Sequence, residues 1–140
     1  MLAIIRIKGD VGLNKPIRET LERLRLRRKY VCVLLEPKEE NMGMVKKVKD
    51  LIAFGKLNKD TLINLIEKRG HLLDKTKKID VKKIAEEIEK GKNLEDLNLK
   101  PFFRLHPPRG GIESKKHFGV GKGVLGDNKE SINKLIERML

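Results

Sequence analysis

The chain has 140 residues, with 33 basic and 20 acidic side chains that give a net charge of +13. This length is typical of a single domain with its own core. No apolar run exceeds five residues, against about 20 for a membrane-spanning helix, and the apolar start is interrupted at Arg6 before a secretory signal could form. The single cysteine cannot form an internal disulfide, which favours a reducing compartment.

The first third of the chain alternates between strand and helix patterns. Residues 1–8 are rich in isoleucine and predict a strand. Asn14 is expected to cap a helix with Pro16 in its first turn, and this helix buries Ile17, Leu21 and Leu24. Residues 30–36 are β-branched and apolar, which predicts a second strand.

Three helical patterns follow in the middle of the chain. The first begins at Asn41 or Met42, and we expect Gly55 to end it. The second is capped by Asn58. The third is capped by Asp80 and ends at Gly91.

The last third contains a short aromatic strand, an irregular stretch and a closing helix. The strand is predicted within 101–106, and residues 106–126 carry glycines and prolines typical of a loop. Asp127 and Glu130 resemble a capping box at the start of the helix over 127–140. The order predicts one α+β domain with a β-α-β-α-β core (1–54 plus 101–106) and both core helices on one face of a three-stranded sheet. Residues 55–100 form a helical insertion before the last core strand.

Residues of the types used in catalysis do not form a recognisable active site. The three histidines are not at metal-ligand spacing with a cysteine or carboxylate, and Cys32, inside a strand, is interpreted as a small hydrophobic residue. Residues 121–126 match G-x-G-x-x-G formally, but the match lacks a preceding strand and an acidic residue about 20 positions on. We therefore predict no catalytic residue, metal or cofactor, and keep a nucleotide-dependent enzyme as an alternative.

The positive charge favours a polyanionic partner such as nucleic acid, although lysine also serves solubility. Residues 23–29 hold five cations and no acid. Complementing the dipole of a helix C-terminus requires one or two of them, so the cluster indicates phosphate contact as well. Aromatic residues make up only 4% of the chain, which favours recognition of shape and phosphates over a base-stacking platform.

The segment from His106 to Gly111 reads His-Pro-Pro-Arg-Gly-Gly. The prolines stiffen the backbone, and the glycines allow close approach to a partner. Arg109 between them has a planar fork suited to bidentate contact with phosphate or guanine. Neighbouring Phe102 and Phe103 are interpreted as core residues, whereas a stretch of about 20 irregular residues is usually functional or disordered.

Three stretches resemble the L-thirty family of large-subunit ribosomal proteins in its archaeal form, which is related to the longer eukaryotic L-seven protein. They are residues 5–30 with Leu-Arg-Leu-Arg at 24–27, Gly-Met-Val-Lys-Lys-Val at 43–48, and Phe-Arg-Leu-His-Pro-Pro-Arg-Gly-Gly at 103–111. The closing helix also fits. The resemblance implies an antiparallel sheet related to the ferredoxin-like fold and a non-enzymatic protein of the large subunit, in the cytoplasm. It also implies binding to large-subunit rRNA near 5S rRNA.

From these features we predict a monomer within the ribosome that contacts rRNA and neighbouring large-subunit proteins, with no membrane and no small-molecule substrate as partner. A general nucleic-acid-binding protein outside the ribosome remains an alternative. The predicted RNA contacts are Arg23, Arg25, Arg27, Arg28, Lys46, Lys47, Arg104, His106, Arg109, Gly110, Gly111, Lys115, Lys116 and Lys122.

Overall fold

The structure is a computed structural model that describes residues 2–9, 12–70, 72, 80–91, 97, 99–109, 114–117 and 123–140. Its strands are β1 (Leu2–Arg6), β2 (Val31–Leu35), β3 (Ile52–Lys56), β4 (Phe103–Arg104), β5 (Ser114–His117) and β6 (Gly123–Asp127). Its α-helices are α1 (Lys15–Arg23), α2 (Glu39–Lys47), α3 (Lys59–Arg69), α4 (Val81–Glu89) and α5 (Ile132–Met139), and a 3₁₀ turn (Lys129–Ser131) precedes α5.

The strands form one mixed sheet in the order β4-β2-β1-β3-β6-β5. The pairs β1–β2, β1–β3 and β2–β4 are antiparallel, whereas β6 runs parallel to both β3 and β5. The α+β class is confirmed. The prediction of a three-stranded antiparallel sheet is wrong, because three further strands extend the predicted set of β4, β2 and β1 on the far side of β1.

Strand β3 was predicted as the end of a helix, and the correction has a clear physical reason. Helix α2 ends at Lys47, and residues 52–56 pair along the whole of β1. Gly55 does not end a helix. A Cβ atom there would clash with the carbonyl oxygen of Lys129 and lie 2.9 Å from Ile132, so glycine allows the 3₁₀ turn and α5 to pack directly on β3.

The stretch predicted as irregular over 106–126 contains strand β5 and most of β6. Its glycines suggested a loop, but a glycine in a strand also marks close approach of another backbone. The predicted aromatic strand exists as the two-residue edge strand β4. The third strand along the chain is therefore β3, and β4 is the fourth.

Two apolar layers enclose the sheet, because successive strand residues point to opposite faces. Ile4 of β1 packs with Leu21 of α1 and Val45 of α2. Its neighbours Ala3 and Ile5 pack on the other face, which is covered by α3, α4 and α5. The prediction that the first two helices share one face is confirmed.

Side chains cap three helices as the sequence predicted. Asn14 accepts a hydrogen bond from the Ile17 amide at 3.1 Å, and Asn58 accepts one from the Thr61 amide at 2.8 Å. Asp80 accepts one from the Lys82 amide at 3.1 Å. These caps satisfy backbone N–H groups that have no partner within the helix.

Candidate nucleic-acid interface

The C-terminal ends of α1, α2 and α5 lie at one end of the sheet. There the Tyr30 amide donates a hydrogen bond to the Arg6 carbonyl at 2.7 Å. The Leu51 carbonyl, in the turn after α2, accepts a hydrogen bond from the amide of Ile7, which directly follows β1. The last carbonyls of α5 accept from the segment after β4. We call this region the basic end and define it as residues 23–30, 46–51, 104–109 and 137–140.

The basic end carries a strong excess of positive charge. Its four segments hold eleven lysines and arginines against two acids, Asp50 and Glu137. Cations in the last turn of each helix, namely Arg23, Lys46, Lys47 and Arg138, complement the helix dipoles. The remaining cations lie beyond the helices, in loops and on strand β4, where the dipole alone does not account for them.

The chain leaves α1 through a Schellman motif that has an arginine in the usual glycine position. The Leu26 amide donates to the Leu21 carbonyl, and the Arg25 amide donates to the Glu22 carbonyl, both at 2.9 Å. Leu21 and Leu26 are both buried in one apolar cluster, which completes the motif. Arg25 has φ of 62°. This left-handed backbone costs a non-glycine residue roughly 1–2 kcal/mol, so the position retains an arginine at the expense of stability.

A buried arginine is hydrogen-bonded to the same loop. Arg6 on β1 is 2% exposed. Its Nη1 donates to the Leu26 carbonyl and its Nε to the Lys8 carbonyl, both at 2.9 Å. Buried charges are costly unless they are hydrogen-bonded. Arg6 therefore links the end of β1 to the turn that presents the following arginines.

The loop after α1 and the edge strand β4 together form a cleft of about 340 Å³. The guanidinium-bearing side chains that line it come from both segments: Arg25, Arg27 and Arg28 from the loop, and Arg104 from β4. The apolar lining consists of Val31, Pro101 and Phe102. The guanidinium carbon of Arg104 lies 5.7 Å from the centre of the Phe102 ring, within the range of a cation–π contact.

The Pro-Pro-Arg segment is tied to the end of α5. The His106 amide donates to the Met139 carbonyl at 2.9 Å, and the Arg109 amide to the Arg138 carbonyl at 3.0 Å. Arg138 Nε returns a bond to the Arg109 carbonyl at 3.0 Å. These contacts satisfy carbonyls at the open end of the helix and hold the backbone of exposed Arg109 in place.

Features associated with enzymes do not assemble in the described residues. Cys32 is buried in the apolar core, as expected for a small hydrophobic residue, and burial raises the pKa of its thiol to about 12. Gly123 and Gly126 lie within β6, and a phosphate-binding turn would require them between a strand and a helix. Among the residues described, no cluster of three potential metal ligands occurs and no helix could cross a membrane.

Comparison with known proteins identifies the family. The model of the family "Ribosomal protein L30p/L7e" matches residues 2–52. The large ribosomal subunit protein uL30 of Methanococcus maripaludis is 39% identical, over 99% of this chain and 98% of that protein. Those of Archaeoglobus fulgidus and Methanopyrus kandleri are 39% and 37% identical, with 99% and 96% of this chain covered and 99% and 100% of their own length. The chain belongs to this ribosomal protein family.

The L30p/L7e match contains only part of the cleft. It runs from β1 to the first residue of β3 and includes the loop arginines. The opposite wall, Pro101 to Arg104, lies outside it. The cleft is therefore shared between the part matched by the family model and a later segment that joins it through the β2–β4 pairing of Val31 with Arg104.

The predicted contacts of this L30p/L7e member fall into four groups. Those that meet in the cleft are Arg25, Arg27, Arg28 and Arg104. Those elsewhere on the basic end are Arg23, Lys46, Lys47, His106 and Arg109, all exposed. Those on β5 are Lys115 and Lys116, and those outside the described residues are Gly110, Gly111 and Lys122.

Sequence reasoning missed three residues that shape this surface. The sequence contains a signal for Arg6, because it is the single cation in the otherwise apolar strand β1. Phe102 was interpreted as a core residue, as was Phe103. Phe103 is fully buried, whereas Phe102 is half-buried and lines the cleft. Arg138 resembles any exposed helix residue, and its bond to Arg109 depends on tertiary contact.

Proposed function

We propose that this protein is a structural constituent of the large ribosomal subunit and that its basic end binds folded rRNA. Membership of the L30p/L7e family supports the ribosomal role. The observation that carries the RNA-binding surface is the cleft, where four arginines from two separate segments meet. Arginine forks match phosphate geometry and remain charged at any cellular pH.

The basic end is suited to a folded RNA because its backbone is held before binding. Arg6 fixes the arginine loop, and α5 fixes the segment that carries Arg109. A surface ordered in advance loses less entropy on binding. In this proposal the loop arginines and Lys46 and Lys47 contact phosphates that lie close together in a folded rRNA.

The remaining assignments follow from the ribosomal role. The protein resides on the ribosome, near 5S rRNA, as one copy beside other large-subunit proteins. It catalyses no reaction and takes no cofactor or small-molecule substrate. The basic side chains of β5 and of residues 110–122 contribute further RNA contacts.

The test is sedimentation of the native protein from cell extract on a sucrose gradient, in low salt and again in about 0.5 M salt. An integral ribosomal protein migrates with the large subunit under both conditions. Nonspecific phosphate binding falls steeply with salt, by roughly 10³–10⁵ between 50 and 200 mM for six to ten phosphate contacts. Recovery at the top of the gradient under both conditions would contradict the proposal.

A further inference from the structure

We infer that the cleft at the basic end binds one unstacked nucleotide, with the phosphate on its arginines and the base on its apolar lining. This inference rests on the proposed RNA-binding role and specifies the RNA feature that the cleft recognises. It concerns a single nucleotide displaced from its stack, and not the regular backbone of a duplex.

The lining of the cleft argues for a ligand with an apolar face as well as negative charge. Arg27 and Arg28 offer planar forks for phosphate oxygens. Val31, Pro101 and Phe102 have apolar side chains, which a bare phosphate would leave in contact with water. A nucleotide carries both parts in one molecule, because its base has a flat π-face next to the charged backbone.

The size of the cleft is also appropriate. A volume of about 340 Å³ falls at the lower end of the range for small-molecule sites, roughly 300–1,000 Å³. In an A-form RNA duplex the bases are stacked inside, and proteins reach mainly phosphates and 2′-hydroxyls. Only a bulged, looped or terminal nucleotide places its base where a cleft can receive it.

The cleft is also held in shape before any ligand arrives. The arginine loop is bracketed by two residues with left-handed backbone, Arg25 at φ 62° and Tyr30 at φ 65°. Such conformations persist where the surrounding structure enforces them, and they cluster at binding sites. On the opposite wall, Phe102 holds the Arg104 guanidinium beside its ring.

The cleft has one aromatic residue in its lining, Phe102, and a site of this kind is compatible with the low aromatic content of the chain. Single-strand-binding proteins stack successive bases on several aromatic rings, and a chain with 4% aromatic residues cannot build such a platform. One half-buried phenylalanine beside four arginines is sufficient for one base.

The test uses two hairpin RNAs that differ only in one bulged adenosine, with binding to the purified full chain measured by fluorescence anisotropy. The wild type is expected to prefer the bulged hairpin. Phe102→Leu retains apolar bulk but removes the ring, and is expected to lower affinity for the bulged hairpin about tenfold, as loss of a stacked base does. Its affinity for the fully paired hairpin should change less than about twofold, because the arginines of the loop after α1 that contact phosphates remain in place.

A second measurement keeps the inference falsifiable if Phe102→Leu does not fold. Wild-type protein is titrated with adenosine monophosphate and, separately, with ribose 5-phosphate while the ring resonances of Phe102 are followed by NMR. Shifts with the nucleotide alone support the inference. Equal shifts with both ligands, or none, overturn it, as does equal weakening of both hairpins by Phe102→Leu.

These results are distinguishable from failure of the proposed function. A wild-type protein that migrates with the large subunit in high salt but shows no preference for the bulged hairpin overturns the inference alone. A protein that prefers the bulged hairpin but stays at the top of the gradient contradicts the ribosomal role and leaves the nucleotide site supported.

Discussion

The basic end and the α3–α4 pair use the same kinds of charged residue in opposite ways. The basic end carries eleven cations against two acids, whereas residues 58–70 and 80–91 carry six of each sign. On the α3–α4 surface the cations have acids within reach, as shown by Lys59 and Glu86, whose charged atoms are 3.5 Å apart. An exposed pair of this kind contributes little to stability.

This difference decides between two explanations of the net charge. If lysine and arginine served only solubility, they would be distributed evenly and interspersed with acids, as they are on α3 and α4. Instead the excess is concentrated where three helix C-termini meet, in loops tied down by hydrogen bonds to Arg6 and to α5. Concentrated and pre-positioned charge is what binding to a polyanion requires.

The largest effect should come from removing the cleft charges. The triple variant Arg25→Gln, Arg27→Gln, Arg28→Gln is expected to weaken rRNA binding on the order of 100-fold at ~0.1 M salt and to reduce the salt slope by about three units, roughly one per phosphate contact. The matched control neutralises two cations of α4 and the one that follows it, by Lys82→Gln, Lys83→Gln and Lys90→Gln. If both triple variants lose the same affinity, the contrast between the two surfaces is wrong.

Removing the buried anchor should weaken both folding and binding. Arg6→Met fills the space but leaves the carbonyls of Leu26 and Lys8 without their donor, so the free energy of unfolding should fall by about 2 kcal/mol. RNA affinity should fall as well, because the arginine loop loses its support. The measurements are urea denaturation and RNA titration, with exposed Lys15→Met as control. Unchanged unfolding in Arg6→Met would show that Arg6 does not hold the loop.

Arg109 tests whether the basic end extends beyond the cleft. Arg109→Ala keeps the backbone bonds to Arg138 and is expected to cost about 1–3 kcal/mol of rRNA affinity if the guanidinium makes a bidentate contact. Its unfolding midpoint should stay at the wild-type value. Lys134→Ala, an exposed position on α5, is the control. Wild-type affinity in Arg109→Ala would confine the interface to the cleft and its neighbours.

The smallest effect separates backbone strain from binding at Arg25. Arg25→Gly and Arg25→Ala both remove the guanidinium and should lose similar RNA affinity. Only glycine relieves the left-handed backbone, so the glycine variant should unfold about 1 kcal/mol less readily than the alanine variant. Equal stability of the two would mean that the left-handed conformation is not enforced in the folded protein.

Local patterns in the sequence were sufficient for several elements of the fold. The strands at both sides of α1, the caps at Asn14, Asn58 and Asp80, and the apolar faces of the helices all depend on residues within a few positions of each other. Strand β3 could not be recognised in this way. Its residues Ile-Ala-Phe-Gly-Lys continue a helical apolar pattern, and they form a strand because β1 and β6 pair with them on both sides.

The candidate site likewise has a part that could be recognised from local sequence and a part that depends on tertiary contacts. The cluster over 23–29 is visible because its five cations lie within seven residues of the chain. Its meeting with Arg104, about 75 positions later, depends on the antiparallel pairing of β2 and β4. The roles of Phe102 and Arg138 likewise depend on contacts with residues distant in sequence.

The sequence by itself determined the class of fold, the excess of positive charge and the family, because composition, periodicity and motifs are properties of the chain. Only the tertiary structure decided the sheet order, the burial of Arg6 and the cleft, because each requires segments far apart in the chain to pack together. The arginines of the chain thus acquire different tasks. Arg6 supports the loop from inside the protein, and Arg25, Arg27, Arg28 and Arg104 face the solvent in one cleft.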